Sequence, residues 1–483
     1  MNKNSQSLHI KKEILINLVK AFYSDDFCKN TALIPFKMRP KNAEVPFRCC
    51  IYKEREIIKD RIIAYLGYAI EPLDETEKLE DFAQMALDRD KVPDKGHLTV
   101  IDTACKGCVP SRVYVTNLCQ GCVSRACEKV CNFNAVTIEG GKSHIDGAKC
   151  RNCGLCISAC PYNAIVKLIV PCEQACQVNA ISKGENGTAS INRESCITCG
   201  KCVSACPFGA VNEKSQIIDV LKSIKAEKKV IAMIAPAIAG QFDGTIYQLK
   251  TAMLKTGFYN VFEVAQGADI TTRNEAKEFS DRMKEGKPFM TTSCCAGYNN
   301  LVRKHLQEIK PYVSETKTPL YYTAEMIKSK FPDAITVFIS PCIAKRVEVA
   351  ENPNIDYVLN ADELDAIFLG REIEVAKLKE TSFDTESSRQ GRNYGITGGV
   401  SKAVSYLAQK NYKPNTCLIN GINKDSIKQL KQYAQKENCP YGDLVEVMFC
   451  EGGCICGNST VSDPKIAARN IKQLLDKSND IEE

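Results

Sequence analysis

The sequence predicts three successive regions. These are a helical N-terminal segment (residues 1–104), a small α+β module built around cysteines (105–212) and a larger α/β domain (213–483). Three observations predict this order. Cysteine is over-used, with 27 in 483 residues, and sixteen of them fall between residues 105 and 210. The chain before them has helical apolar spacing and only three cysteines. The chain after them alternates short apolar strands with amphipathic helices.

In the first region "MNKNSQSLHIKKEILINLVKAF" alternates charged and apolar residues, as an amphipathic helix does and a signal peptide does not. "RCCIYKEREIIKDRIIAYLGYAIE" and "DETEKLEDFAQMALDRD" read as further helices. Cys28, Cys49 and Cys50 have no further ligands at useful spacing and read as ordinary thiols. The longest obvious apolar run, Val230 to Gly240, is too short to span a membrane and contains Pro236. The net charge of +6 is mild and unclustered. It fits a solvated surface or a landing area for an acidic partner, with no nucleic acid expected.

Without an export signal, the cysteines point to metal or redox chemistry in the cytoplasm rather than to disulfides. The four histidines, His9, His97, His144 and His305, all lie outside the cysteine motifs. Mixed Cys/His zinc sites and His-based acid–base catalysis are therefore not expected.

The second region contains an internal repeat. "CNFNAVTIEGGKSHIDGAKCRNCGLCISACPYNAI" starts at Cys131, and "CQVNAISKGENGTASINRESCITCGKCVSACPFGAV" starts at Cys176. Each ends in C-x2-C-x2-C-x3-C-P, the bacterial ferredoxin run, in which the fourth cysteine ligates the neighbouring [4Fe–4S] cube. That rule groups Cys119, Cys122 and Cys127 with Cys160. It groups Cys150, Cys153 and Cys156 with Cys131, and Cys196, Cys199 and Cys202 with Cys176. Cys172 and Cys206 remain, and the "ACKGC" pair, Cys105 and Cys108, is expected to complete a fourth cube with them. The module is thus expected to be ferredoxin-like, with three to four clusters. The segment "NEKSQIIDVLKSIKAEKK" reads as a charged helix leading out of it.

In the third region the expected strands are "KVIAMIAP", "NVFEVA", "PFMTTS", "ITVFIS" and "VEVMF". Three run directly into cysteine motifs: "TTSCCAGY" (Cys294, Cys295), "SPCIAKRVE" (Cys342, Lys345, Glu348) and "EVMFCEGGCICG" (Cys450, Cys454, Cys456). Sites in open α/β sheets sit beyond the carboxyl ends of strands, so one shared site is expected. In "EAKEFSDR", Glu275, Glu278 and Arg282 share one helix face.

Together, in this order and behind a ferredoxin-like module, the three motifs resemble the signatures of the iron-only, or [FeFe], hydrogenases, from about residue 105 to about residue 460. The resemblance implies an α/β catalytic domain whose [4Fe–4S] cube is held by Cys295, Cys342, Cys450 and Cys454. Cys454 would bridge to a diiron subcluster carrying CO, cyanide and an azadithiolate. Cys294 matches the family's proton-relay thiol. Glu275, Ser314 and Glu278 match its proton pathway, with Arg282 at the exit. Lys345 matches a lysine that contacts a cyanide ligand. Ala235, Pro236 and Met448 match residues packed against the subcluster, and Gly395 to Val400 match a glycine-rich loop beside it. A metal-bound thiolate cannot also shuttle protons, so neighbouring cysteines with separate tasks make chemical sense.

Ala296, Tyr298, Ser340, Glu451 and Cys456 depart from the usual motifs and resemble the divergent group B monomeric enzymes. The expected activity is cytoplasmic, ferredoxin-linked interconversion of protons and H₂, at a cofactor installed by hydrogenase maturation proteins. Two alternatives are a hydrogen-sensing, low-turnover hydrogenase and an iron–sulfur assembly or carrier protein lacking the diiron unit.

Overall fold

The computed structural model describes residues 6–42, 46–70, 76–90, 96–105, 107–109 and 112–482. Four helices open the chain: α1 (Gln6–Phe22), α2 (Phe27–Met38), α3 (Ile51–Tyr65) and α4 (Leu79–Asp88). The apolar face of α1, with Ile14, Leu15, Leu18 and Val19, packs into the same core as Leu364 and Ile367 of the helix Ala361–Gly370. Lys11 pairs with Glu213 and, at 2.6 Å, with Asp362. Arg89, just after α4, pairs with the fully buried Asp219 at 2.7 Å. The opening helices therefore share a core with the third region instead of standing apart from it.

The sequence read Asn212 to Lys229 as one helix, but its first residues do something else. Val211–Glu213 is a strand paired antiparallel with Leu98–Val100, and this pairing ties the chain just ahead of the cysteine module to the module's end. The helix is only Ile217–Lys225, entered where Ser215 Oγ accepts the Ile217 N–H at 3.0 Å. Its Ile217, Ile218, Val220 and Leu221 are buried, so it is amphipathic rather than merely charged.

The cysteine module is two lobes of short antiparallel hairpins and single-turn helices. The first lobe pairs Arg112–Val115 with Ile165–Leu168 and Val136–Glu139 with Lys142–Ile145. The second pairs Ile181–Lys183 with Ala189–Ile191.

The third region holds two parallel sheets. One has the strand order Asn260–Glu263, Val230–Ile234, Ile335–Ser340, Tyr357–Asn360. The other runs Met290–Thr291, Leu444–Met448, Thr416–Asn420. The five expected strands are present. Tyr357–Asn360 and Thr416–Asn420 were not among the expected strands. Val230–Ile234 and Leu444–Met448 are buried along their whole length, as strands covered on both faces are.

Candidate active site

Strands from both sheets end on the same spot. Val230–Ile234 leads to Ala235 and Pro236, Met290–Thr291 to Cys294 and Cys295, Ile335–Ser340 to Cys342, and Leu444–Met448 to Cys450 and Cys454. The four cysteines expected to hold the cube perturb one another. Burial, followed by the nearby Cys295, pushes the Cys342 thiol up to about 11. Burial and then Cys342, Cys295 and Cys454 raise Cys450. Burial and then Cys342 and Cys295 raise Cys454, while Lys345 pulls it down. A cluster of four neighbouring thiols, in which burial makes Cys342, Cys450 and Cys454 costly to ionise, has the chemistry of a site for a highly charged metal group.

Backbone spacing sets this pocket. Gly453 has φ +88°, and a Cβ there would lie 2.6 Å from Thr397 N and 2.9 Å from Gly395 O, so only glycine lets the third motif lie against the loop Gly395 to Val400. Ser340 Oγ accepts the Cys342 N–H at 3.0 Å, giving this serine a turn-forming task. Tyr298 is fully buried, with its hydroxyl 3.0 Å from Thr291 Oγ1. Met448 is buried in the cluster that Cys294 and Cys295 line. Cys456 packs with Cys454 against Ala237, Ile455 and Ile471.

Cys294 is not grouped with the four as a fifth equal. Its thiol is raised by burial and then by Glu275. Glu275, on the helix Val264–Lys284, is fully buried. Its Oε1 accepts the Ser293 N–H at 3.3 Å, and its Oε2 has no hydrogen-bond partner. Burial, reinforced by Glu278, pushes its carboxyl up to about 8, so it is protonated at neutral pH.

One turn on, Glu278 behaves oppositely. Burial works to raise it, but donors from Thr316, Glu315 and Ser314 and the Arg282 charge hold it below the ordinary carboxylate range. Ser314 Oγ donates to Glu278 Oε2 at 2.7 Å, Thr316 Oγ1 at 2.6 Å, and the Glu315 N–H to Oε1 at 2.8 Å. Arg282 Nη2 lies 2.7 Å from Glu278 Oε1, and the neighbouring Glu315 is 92% exposed. A neutral buried acid, a hydroxyl and an ionised, partly buried acid thus follow one another outward from Cys294.

Lys345 is largely buried and pairs with Glu348, which also accepts from Thr318 Oγ1. Burial alone would lower its pKa, but Glu348, followed by Cys342 and Cys294, raises it, so the site contains a fixed cation. Two buried groups were not foreseen. Glu446 accepts the Gly398 and Ser401 N–H groups at 2.7 and 2.8 Å and so pins the glycine loop. Tyr394 bonds Thr272 Oγ1 at 2.8 Å, beside Glu275 and Cys294. A glutamate inside the otherwise apolar "VEVMF" was the available signal for the first. Nothing in the sequence marked the second.

The accessory cysteines show a fourfold pattern. Cys127, Cys156, Cys172 and Cys202 are all buried, on the short helices Ala126–Lys129, Leu155–Ala159, Pro171–Ala175 and Lys201–Ala205. Cys131, Cys160, Cys176 and Cys206 each accept the N–H of the alanine four residues on, at 3.4, 3.4, 3.1 and 3.3 Å. The residue before each alanine (Asn134, Asn163, Asn179 and Gly209) has positive φ. This "C-x2-[NG]-A" turn recurs four times and is readable in the sequence. Cys172 is pushed to about 11 by burial and then by Cys206 and Cys105. Cys206 and Cys105 also raise Cys108. Cys105, Cys108, Cys172 and Cys206 are thus neighbours. Cys156 likewise lies near Cys150, Cys153 and Cys131, and Cys202 near Cys199, Cys196 and Cys176. Cys119, Cys122, Cys127 and Cys160 all belong to the first lobe, where Cys119 and Cys127 both contact Ser143. Among the described residues none of these sets is drawn tightly enough to grip a single metal ion. A four-iron cube takes thiolates that stand farther apart.

The second lobe sits on the catalytic motifs. Asn458 Nδ2 donates to Cys199 O at 2.7 Å, Asn300 Nδ2 to Ile197 O at 3.2 Å and Lys304 Nζ to Cys196 O at 2.7 Å. Cys199 is among the groups that raise Cys450.

Residues 142–207 match a 4Fe-4S dicluster domain, which makes this an iron–sulfur protein. Residues 228–458 match the iron only hydrogenase large subunit, C-terminal domain. The periplasmic [Fe] hydrogenase large subunit of Nitratidesulfovibrio vulgaris is 31% identical over 371 residues, covering 65% of this chain and 85% of that protein. Iron hydrogenase 1 of Clostridium pasteurianum is 28% identical over 404 residues, covering 68% of this chain and 66% of that protein, just under two thirds of its length. The chain belongs to the iron-only hydrogenase family. It is also 23% identical over 337 residues to the cytosolic Fe-S cluster assembly factor narfl of Xenopus tropicalis, covering 55% and 70% of the two chains. The solved [FeFe]-hydrogenase HydA1 of Chlamydomonas reinhardtii aligns with a TM-score of 0.44 at 21% identity, covering 55% of this chain and 90% of that one. No described helix is long and apolar enough to cross a membrane.

Proposed function

We propose that this protein is a cytoplasmic hydrogenase, interconverting two protons and two electrons with H₂ and exchanging electrons with a ferredoxin-like carrier. In this reading Cys295, Cys342, Cys450 and Cys454 hold the active-site cube. Cys454 would also hold the diiron unit, with its CO, cyanide and azadithiolate ligands, once maturation proteins had delivered it. That group, when bound, supplies the hydrogen chemistry, and the accessory cubes supply one-electron transfer. The fourfold turn pattern supports four accessory cubes, the fourth on Cys105, Cys108, Cys172 and Cys206. The domain boundaries at 104/105 and 212/213 belong to the same proposal.

The chain's own residues move the proton and hold the pocket. Cys294 Sγ takes or gives a proton and exchanges it with the buried Glu275 carboxyl. Glu275 passes it by way of Ser314 to Glu278, and Arg282 keeps that last carboxylate ionised at the surface. Lys345 holds a positive charge towards anionic ligands, while Ala235, Pro236 and Met448 keep the pocket dry. The observation that carries this reading is the free thiol backed by a buried acid at about pKa 8. An assembly or scaffold protein needs cubes but no such path.

The relatives named as Fe-S assembly factors favour a second reading, in which the chain binds cubes and carries no diiron unit. Protein matured with the hydrogenase maturation proteins and assayed for H₂ evolution from reduced methyl viologen separates the two. Turnover that Cys294→Ala largely removes supports the hydrogenase. Full cube loading with no turnover and no H₂/D₂O exchange supports the assembly protein.

A further inference from the structure

The opening helices carry a surface that the catalytic reading leaves unused. Residues 36–61 hold eight Lys or Arg against four Asp or Glu. Of those acids, Glu54 is buried and bonded to Arg39 at 2.6 Å and to the Arg48 N–H at 2.9 Å. Asp60 is also buried, bonded to Thr103 Oγ1 at 2.5 Å. On the cation side Arg61 is buried and Arg39 is paired with Glu54, which leaves Lys37, Lys41, Arg48, Lys53 and Arg55 at least partly exposed beside the Lys59–Glu56 pair, so the charge on the described surface is positive. Among it stand three exposed aromatic rings, Phe36 at 54%, Phe47 at 64% and Tyr52 at 65%. Arginines lie over them. Arg55 is 4.9 Å from the Phe36 centroid and 5.9 Å from that of Tyr52, and Arg39 is 5.5 Å from that of Phe47. Stacking holds the guanidinium groups in place, so less side-chain freedom is lost when an acidic partner binds.

This face adjoins metal-binding cysteines. Arg48 lies 4.8 Å over the ring of Phe208, two residues after Cys206. A Cβ on Gly107 would meet that ring at 2.6 Å, so the ring is wedged between Arg48 and Gly107, next to Cys108. A cavity of about 240 Å³ opens here, lined by Arg39, Arg48, Arg61, Phe47 and Phe208 among others. Arg61 is 5% exposed, donates to the Phe208 carbonyl at 2.7 Å, and has an Nε with no partner.

We propose that this face docks an acidic electron-carrier protein, which exchanges electrons through the cube of Cys105, Cys108, Cys172 and Cys206. This rests on the electron-carrier part of the function proposed above. Charge complementarity chooses the occupant, because apolar rings rimmed by fixed cations suit a small acidic protein with an apolar contact over its own redox centre. Position chooses the cube. It neighbours the Cys202 set, which in turn neighbours Cys450, so two accessory cubes would bridge surface and active site.

Stopped-flow reduction of the oxidised, cube-loaded chain by a reduced acidic 2[4Fe–4S] ferredoxin tests this without any hydrogen turnover. An inactive chain could still show the docking, so failure here and failure of the hydrogenase reading are distinguishable. Arg48→Glu with Arg55→Glu is expected to slow the second-order rate roughly tenfold or more at low salt and to flatten its salt dependence. Reduction by the small dye methyl viologen should be unchanged. Arg112→Glu with Lys167→Glu, on the first lobe, should leave the ferredoxin rate at the parental value. If the charge reversal lowers iron content, Arg48→Gln with Arg55→Gln carries the same test with a smaller slowing. A parental rate in the Arg48/Arg55 variants, or a slowing confined to the first-lobe variant, overturns the proposal.

Discussion

The two ferredoxin-like lobes are written in nearly the same words and live in different surroundings. In the first, Ser143 and Gly121 N–H groups hold the Cys119 thiol below its ordinary value. In Cys131 the N–H groups of Ala135, Phe133 and Val136 outweigh burial to the same effect. Cys153 is exposed, and Val123 is 97% exposed. In the second, burial pushes Cys199 up to about 12 and also raises Cys202, and Asn300, Lys304 and Asn458 of the catalytic domain close over that lobe. The repeat fixes which cysteines meet, whereas the packing around each lobe fixes how wet and how central each cluster is. A cluster's reduction potential follows solvent exposure and hydrogen bonds to sulfur, so the lobes are expected to differ in potential despite matching ligand sets.

The largest expected effect comes from cutting one ligand in each lobe. Cys199→Ala and Cys153→Ala should each lose about four irons. Cys199→Ala should also abolish ferredoxin-driven turnover, because its lobe bonds to Asn300, Lys304 and Asn458 beside the catalytic motifs, while Cys153→Ala should keep about half or more of it. Iron analysis beside a hydrogen-evolution assay reads both, and equal losses of activity would erase the distinction between the lobes.

Next in size is the split between neighbouring thiols. Cys295→Ala should lose the active-site cube. Cys294→Ala should keep all the iron and lose about 10²–10⁴-fold in turnover, the usual worth of a general acid–base group. If Cys294→Ala keeps parental turnover, or sheds iron as Cys295→Ala does, the division of labour is wrong.

The fourth set sharpens the comparison within the module. Four accessory cubes with the active-site cluster imply about 22 irons per chain, and three imply about 18. Cys105→Ala with Cys108→Ala should remove about four. An unchanged count would return those cysteines to ordinary thiols.

The smallest effect concerns Glu275. Its folded value of about 8 lies above the ordinary 4.5. The folded state therefore holds a proton that the unfolded state releases, and stability falls as pH rises from about 4.5 to about 8. The surrounding groups, Glu278, Glu446 and the Ser293 N–H, do not reverse that sign. Glu275→Gln should melt close to the parent at pH 4.5 and above it at pH 8, by a stabilisation of at most a few kcal/mol, while turning over slowly. A gap that shrinks with rising pH would show that the carboxyl is ionised in the fold.

Much of this was legible because cysteine spacing is a local code. The C-x2-C-x2-C-x3-C-P runs gave the pairing of lobes, and strand-then-cysteine order gave one shared site from three distant motifs. What escaped was non-local. Thr416–Asn420 is a strand because it pairs with Leu444–Met448, not because of its own pattern. The strand at Val211–Glu213 exists because Leu98–Val100 lies beside it. The opening helices were readable as helices, but not their burial against Leu364 and Ile367, nor the buried pairs of Lys11 and Arg89 that lock them there. Glu446 and Tyr394 gain meaning only once folding sets them beside Cys294.

In the proposed function the pocket of Cys295, Cys342, Cys450 and Cys454 holds a diiron unit as well as a cube. An infrared spectrum of the matured protein tests it most directly. CO and cyanide stretching bands that shift under hydrogen and persist in Cys294→Ala are the expected result. A spectrum silent in that region, from protein with every cube loaded and competent maturation proteins present, would contradict it.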